Sequence, residues 1–332
     1  MKKKIRIAFS EIILLSILLF IVLFISCSFR PNFSKPDIEG AVRVSNETCY
    51  GCHDTMKKIF QNSIHDRIAP FETGGIEKGC EACHGAGSKH AESGDPALIF
   101  SYNGKNLTPG QQSYLCVQCH TRMNWQSSEH PAHDVSCTDC HSIHTPQTGK
   151  LLAKSEPSLC FDCHQHIRAK IMMPNHHPIW EGEKTGRKRM TCSDCHDPHG
   201  SAVDGLKTDE RLNDLCLKCH ARYQGPYVFE HEPVIEDCCI CHDPHGSIAD
   251  NLLKQNEPFL CLQCHQFHFH TGKQGYDGTV PPTGSRNYTA VTSTYDSWKI
   301  ATTTRCTQCH TQIHGSDLPS QSVPGSGGAL TR

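Results

Sequence analysis

Twenty of the 22 cysteines in this 332-residue chain stand in one pattern, Cys-x-x-Cys-His, repeated ten times. The cysteine pairs are Cys49/Cys52, Cys80/Cys83, Cys116/Cys119, Cys137/Cys140, Cys160/Cys163, Cys192/Cys195, Cys216/Cys219, Cys238/Cys241, Cys261/Cys264 and Cys306/Cys309. Their histidines are His53, His84, His120, His141, His164, His196, His220, His242, His265 and His310. Two thiols three positions apart can close on the two vinyl groups of one haem as thioethers, and the next residue then faces the iron. A disulfide framework suits an exported cysteine-rich chain, and zinc ribbons share the cysteine spacing. Neither requires a histidine after every second cysteine. With 24 histidines in 332 residues, ten hits in ten by chance are on the order of 10⁻¹². The pattern predicts ten covalently attached haems c. Cys239 lacks the offset to His242 and reads as packing.

Each iron needs a sixth ligand, and fourteen histidines lie outside the motifs. His144, His199, His245 and His268 follow a motif histidine by three residues, and His314 by four. At that distance a side chain cannot bind the opposite face of its own haem, but it can reach another one. With His65, His90, His130, His177 and His231 these make ten distal candidates; His270 is an alternative to His268, and His133, His166 and His176 are spares. Methionine would raise the potential, but Met56, Met123, Met172, Met173 and Met190 recur at no fixed offset and read as gap-fillers. Two histidines on every iron would leave no vacancy for substrate, so the arrangement suits electron transfer and not catalysis.

The elements that must position these groups are sparse. Hydrophobic residues are 37% of the chain, cysteines included, and aromatics 7%, with no recurring amphipathic helix or alternating strand. At about 31 residues per haem the macrocycles themselves must form the core. The fold class expected is a haem-cored multihaem cytochrome c. It is mostly irregular, with short α-helices, little or no β-sheet and an extended line of haems. A repeat of 45 to 56 residues carries Asp-Cys-His-Asp-Pro-His-Gly at Asp194 to Gly200, and Cys-His-Asp-Pro-His-Gly at Cys241 to Gly246. Five motifs fall in 47–170 and five in 171–332, suggesting N- and C-terminal pentahaem modules.

Residues 1–26 read as a lipoprotein-type signal peptide: Lys2, Lys3, Lys4 and Arg6, an apolar run over 12–25, then Ser26-Cys27. Fourteen residues suit a signal core better than a spanning helix, though an uncleaved inner-membrane anchor is the alternative. Phe24-Ile25-Ser26-Cys27 resembles a lipobox, which makes Cys27 the lipidation site and, with Ser28 after it, favours the outer membrane. Residues 27–46 form a polar tether. Net charge is −2 overall, and no basic stripe points to nucleic acid. The basic segment 183–189 reads as a solvated turn or an acidic partner's docking loop. The insertion 271–305 reads as a cover or a partner contact, and the Gly/Ser/Pro-rich segment from Ser316 as a mobile tail.

The chain resembles the periplasmic decahaem cytochromes of outer-membrane porin–cytochrome conduits and their relatives in extracellular dimethyl sulfoxide respiration. The resemblance rests on ten motifs in about 300 residues and on Cys80-Glu81-Ala82-Cys83-His84-Gly85 with His90. Asn175-His176-His177-Pro178, the two Asp-Pro-His-Gly segments, Glu230-His231-Glu232-Pro233-Val234 and Gln312-Ile313-His314-Gly315-Ser316 add to it. The chain departs from relatives in the lipid anchor and in Asp317-Leu318-Pro319. The resemblance implies histidine at each sixth position, and an electron relay from a periplasmic or inner-membrane cytochrome donor. That relay would run through an outer-membrane porin to an outer-surface multihaem cytochrome and an extracellular acceptor. The alternatives are a multihaem reductase of nitrite or tetrathionate with one open haem, a filament-forming cytochrome, and an inner-membrane quinol oxidase.

Overall fold

The computed structural model describes residues 33–68, 78–103, 106–144, 150–179, 190–203, 205–208, 210–265, 305–320 and 329–331. The leader with Cys27, the segment 183–189, His268, His270 and all but Arg305 of the insertion 271–305 lie outside the described residues.

Among the described residues the chain forms short helices and six isolated β-bridges, with no strand. In order, the α-helices are α1 (Asn46–Tyr50), α2 (Asp54–Gln61), α3 (Cys80–His84), α4 (Ser88–Ser93), α5 (Pro109–Val117) and α6 (Glu129–Ala132). There follow α7 (Cys137–Cys140), α8 (Ser158–Phe161), α9 (Gln165–Ile171), α10 (Cys192–Cys195), α11 (Leu212–Leu217) and α12 (Glu232–Glu236). The longest, α5, has nine residues; no described helix is long and apolar enough to cross a membrane.

The attachment motif itself is the unit of structure. In nine of the ten motifs the backbone N–H of the histidine donates to the carbonyl of the first cysteine at 2.9–3.0 Å, closing one helical turn; the tenth lies wholly within α3. One turn puts both cysteines on the same face. Two of these turns start with a capping box: Ser136 N–H donates to Asp139 at 2.7 Å, and Thr191 N–H to Asp194 at 2.7 Å. After three motifs the chain folds back in the same way, His141 bridging Leu152, His196 bridging Leu206 and His242 bridging Leu253. That return is the structural form of the sequence repeat.

The chain packs as two compact units, Met1–Ser155 with Asp197–Gly205, and Glu156–His196 with Leu206–Arg332. The units therefore hold four and six motifs, where the sequence suggests five and five. The motif at Cys160 groups with the later ones because Glu156, just before it, bonds Ser193 beside Cys192. The buried apolar side chains are few: Phe100, Leu107, Trp125, Phe161, Ile171, Ala249 and Leu330. Met172, Ile248 and Val228 are largely exposed.

The described residues from Ser316 onward, 316–320 and 329–331, depart from the expected mobile tail. Ser316, Ser320, Leu330 and Thr331 are buried, Gln312 N–H donates to Leu330 at 3.0 Å, and the Ser320 and Thr331 hydroxyls bond each other. The chain comes back because the last motif uses it: His310 Nδ1 donates to the Ala329 carbonyl at 2.7 Å.

Candidate haem sites

Metal–imidazole bonds of about 2.0 Å on either side of an iron, with roughly 1.1 Å from each bonded nitrogen to its ring centre, separate two axial rings by about 6.2 Å. Eight motif histidines face a second histidine at that separation. Six pairs have nearly parallel planes, inclined 11–25°: His53 and His90 at 6.3 Å, His84 and His144 at 6.2 Å, His141 and His199 at 5.8 Å, His196 and His245 at 5.9 Å, His242 and His314 at 6.2 Å, and His265 and His231 at 6.0 Å. Two pairs are crossed: His120 and His65 at 6.3 Å and 77°, His220 and His177 at 6.2 Å and 59°.

In six of the eight pairs the second nitrogen of one ring fixes it. A carbonyl only accepts, so a ring whose Nδ1 meets one carries its proton there and presents Nε2 as the lone-pair donor. His84 donates from Nδ1 to Phe100 (2.8 Å), His141 to Lys150 (3.1 Å) and His242 to Asn251 (2.8 Å). On the distal side His90 donates to Asp95 (2.9 Å), His177 to Pro244 (2.7 Å) and His231 to Ile313 (3.1 Å). Burial holds the imidazoles of His65, His144, His199, His231, His245 and His314 below the ordinary histidine range. A neutral ring is the form that binds a metal.

The two Asp-Pro-His-Gly segments serve two sites each. Asp197 accepts from the His199 N–H at 3.0 Å, and Asp243 from that of His245 at 3.1 Å, which sets each histidine's direction. The Pro198 carbonyl takes the Nδ1 proton of His130 at 2.9 Å, as Pro244 does for His177. The glycine then admits close backbone: a Cβ on Gly246 would stand 2.0 Å from the Lys170 carbonyl oxygen, and one on Gly200 2.8 Å from that of Asn124. Lys170 also pairs with Asp243.

His130 stacks on Trp125 with centroids 6.2 Å apart. The spare His166 lies 6.3 Å from His164, but two residues along the same chain cannot straddle a macrocycle, so this is a contact between neighbours. His176 Nδ1 donates to the carbonyl of His177 at 2.7 Å, and the exposed His133 lies 3.9 Å from Glu129. Of the methionines, Met172 is exposed on the surface.

The cysteine sulfurs record how successive sites meet. The first cysteines of motifs one and two, Cys49 and Cys80, lie within hydrogen-bonding reach, and so do Cys116 with Cys137, Cys160 with Cys192, Cys216 with Cys238, and Cys261 with Cys306. Between those couples the second cysteines interact: Cys83 with Cys119, Cys195 with Cys219, Cys241 with Cys264. Within each compact unit the attachment points therefore follow one another in sequence order. Burial foremost pushes Cys49 up to about 11, and Cys216 and Cys261 up to about 12, so as free thiols these groups are poor thiolates.

Of the second cysteines, Cys52, Cys83, Cys119, Cys163, Cys219 and Cys264 are exposed and Cys140, Cys195, Cys241 and Cys309 half-buried. The attachment turn holds several of them in the same way, the N–H donating to the first cysteine's carbonyl: Cys52 to Cys49 at 3.2 Å, Cys163 to Cys160 at 3.3 Å, Cys309 to Cys306 at 3.1 Å.

Sequence reasoning missed the side chains that join one motif to the next. Asn46 accepts from the Cys80 N–H at 3.0 Å, Gln112 from the Thr138 hydroxyl at 2.7 Å, and Asn213 from the Cys238 N–H at 2.8 Å. Glu156 accepts from the N–H and hydroxyl of Ser193, both at 2.9 Å, and Glu257 from those of Thr307 at 2.8 and 2.9 Å. Each lies three or four residues before an odd-numbered motif, a regular offset that was the available signal.

These residues fit haem c: paired thiols on one helical turn, an imidazole beside them, and a second imidazole one iron's width away. The family comparisons agree. The doubled CXXCH motif matches residues 176–225 and 231–268, and the NrfB-like cytochrome c-type protein family matches 80–163. The C-type polyheme cytochrome OmcB of Geobacter sulfurreducens is 22% identical over 55% of this chain and 26% of its own length. The high-molecular-weight cytochrome c of Nitratidesulfovibrio vulgaris is 23% identical over 52% of this chain and 28% of its own. The multiheme cytochrome MtrA of Shewanella baltica is 34% identical over 282 residues, 82% of this chain and 79% of that one. Likeness of that degree along most of both sequences, on a fold made of attachment turns, makes this chain a member of the MtrA family of multiheme c-type cytochromes, electron-transfer proteins with covalently bound haem c.

Proposed function

We propose that the chain carries ten haems and relays electrons along them, in sequence order, between a periplasmic or inner-membrane cytochrome donor and an outer-membrane partner. The observation that carries this reading is the placing of the sulfurs, first cysteine within hydrogen-bonding reach of first, and second cysteine near enough to second for their charges to interact. When bound, the haems supply one-electron ferric/ferrous couples. The protein's part is to fix one imidazole of a facing pair by an Nδ1 bond, as at His84, His141, His242, His90, His177 and His231, so that little has to move when charge arrives, and to keep consecutive attachment turns close. His130, held by Pro198 as His177 is by Pro244, and His268 or His270 complete the distal set. The end motifs, with Cys52 and Cys309, are where electrons would enter and leave.

Likeness to MtrA supports a porin and an outer-surface multihaem cytochrome as the partners, with the relay ending at an extracellular acceptor. Cys27 is proposed as the lipidated residue that holds the chain at the outer membrane on its periplasmic side. The pyridine haemochrome count per chain tests the cofactor number, with ten expected. Affinity capture from solubilised outer membranes tests the partner: a β-barrel protein and a second multihaem cytochrome are expected, and capture of neither would remove the conduit reading.

A further inference from the structure

The five side chains that join odd motifs to even ones are alike in place but not in charge. Asn46, Gln112 and Asn213 offer neutral amide oxygens, whereas Glu156 and Glu257 offer carboxylates. The carboxylate of Glu257 and the sulfurs of Cys261 and Cys306 all lie within 4.8 Å of one another, and the same holds for Glu156, Cys160 and Cys192. Each carboxylate is half-buried and stands where two haem-bearing cysteines meet. Arg305, one residue before Cys306, is committed to Asp250 at 2.9 Å.

We propose that Glu257 is a redox-tuning residue: it places one negative charge where the first cysteines of two motifs meet and makes both haems easier to oxidise than the haems joined by Asn46, Gln112 and Asn213. The inference rests on the ten-haem reading. Reduction adds an electron to each site, and a fixed anion beside the attachment sulfurs opposes that addition, more strongly where water is partly excluded. The two bonds from Thr307 offset part of the charge without removing it. One carboxylate acts on two haems because the first cysteines of both meet at it. The potential profile along the chain is then uneven, with one low-lying couple of sites set against the three joined by amides.

The test is an optical potentiometric titration of the full-length holoprotein, with protein-film voltammetry alongside. Glu257→Gln keeps the size and an acceptor and removes the charge. It is expected to move the couples of two haems to higher potential while haem count and low-spin spectrum stay as in the wild type. Thr307→Val deletes one donor, leaves the carboxylate less compensated, and is expected to move the same couples lower. A merely structural role would give shifts of one sign in both variants, and that result would overturn the proposal. So would a Glu257→Gln curve superimposable on the wild type. If Glu257→Gln fails to load ten haems, Gln112→Glu decides: the installed charge is expected to lower the couples carried by Cys116/Cys119 and Cys137/Cys140, and unmoved couples would refute the idea. A wild-type count below ten overturns the relay reading itself; a count of ten with unmoved couples overturns only the tuning.

Discussion

His65 crosses the plane of His120 at 77° and His177 that of His220 at 59°, whereas the other six described pairs lie within 25° of parallel. Parallel imidazoles split the two iron orbitals they overlap; crossed ones leave them nearly degenerate. The oxidised protein is therefore expected to show two classes of low-spin electron paramagnetic resonance signal, and His65→Ala is expected to diminish the class with the highest g value, with one iron turning high-spin. An unchanged high-g signal in that variant would place His65 away from the iron. A second expectation concerns Gly246, whose Cβ would meet the Lys170 carbonyl at 2.0 Å. Gly246→Ala is expected to cost roughly 1–3 kcal/mol of stability through forced backbone displacement, seen as a lower melting temperature and reduced haem yield. At this scale much was legible. Covalent attachment imposes a spacing, so the motifs stand out. Which motif histidine each distal candidate faces was not legible: His144 faces His84, His199 faces His141, His245 faces His196 and His314 faces His242. In each case the histidine just after one even-numbered motif reaches back to the even motif before it, a pairing that depends on chain return and leaves no local trace.

The attachment turn is the element, and its stability is set by capping more than by burial. Thr191 and Asp194 close a capping box on α10, and Thr191→Ala is expected to cost about 1 kcal/mol, within the usual range for a lost cap. Thermal unfolding followed in the Soret band checks this; an unchanged midpoint would mean that the thioethers alone hold the turn. Among the described residues the absence of long helices was legible from composition, since too few apolar side chains recur at helical spacing. The links from Asn46, Gln112, Glu156, Asn213 and Glu257 were not, because each spans 25 to 50 residues and a single polar residue before a cysteine carries no mark of its distant donor. The end of the chain was misjudged for a related reason. Composition after Ser316 favours mobility, but the Nδ1 proton of His310 needs an acceptor, and Ala329 supplies it.

For the whole molecule, two compact units of four and six motifs replace the even division that motif counting suggests, because contact between consecutive cysteines, and not position in the sequence, sets what packs together. The proposed anchor is tested on the intact chain: Cys27→Ser is expected to move the protein from the membrane fraction to the soluble periplasmic one, and a variant still wholly in the membrane fraction would overturn the lipid anchor at Cys27. The central claim, that every iron is held by two histidines and serves transfer, not turnover, meets its most direct test in the electron paramagnetic resonance spectrum of the fully oxidised protein, integrated against haem content. All ten irons are expected to be low-spin, with nitrite or another small ligand changing nothing. About one iron in ten appearing high-spin, and shifting when such a ligand is added, would contradict the claim and make the chain a reductase fed by its remaining haems.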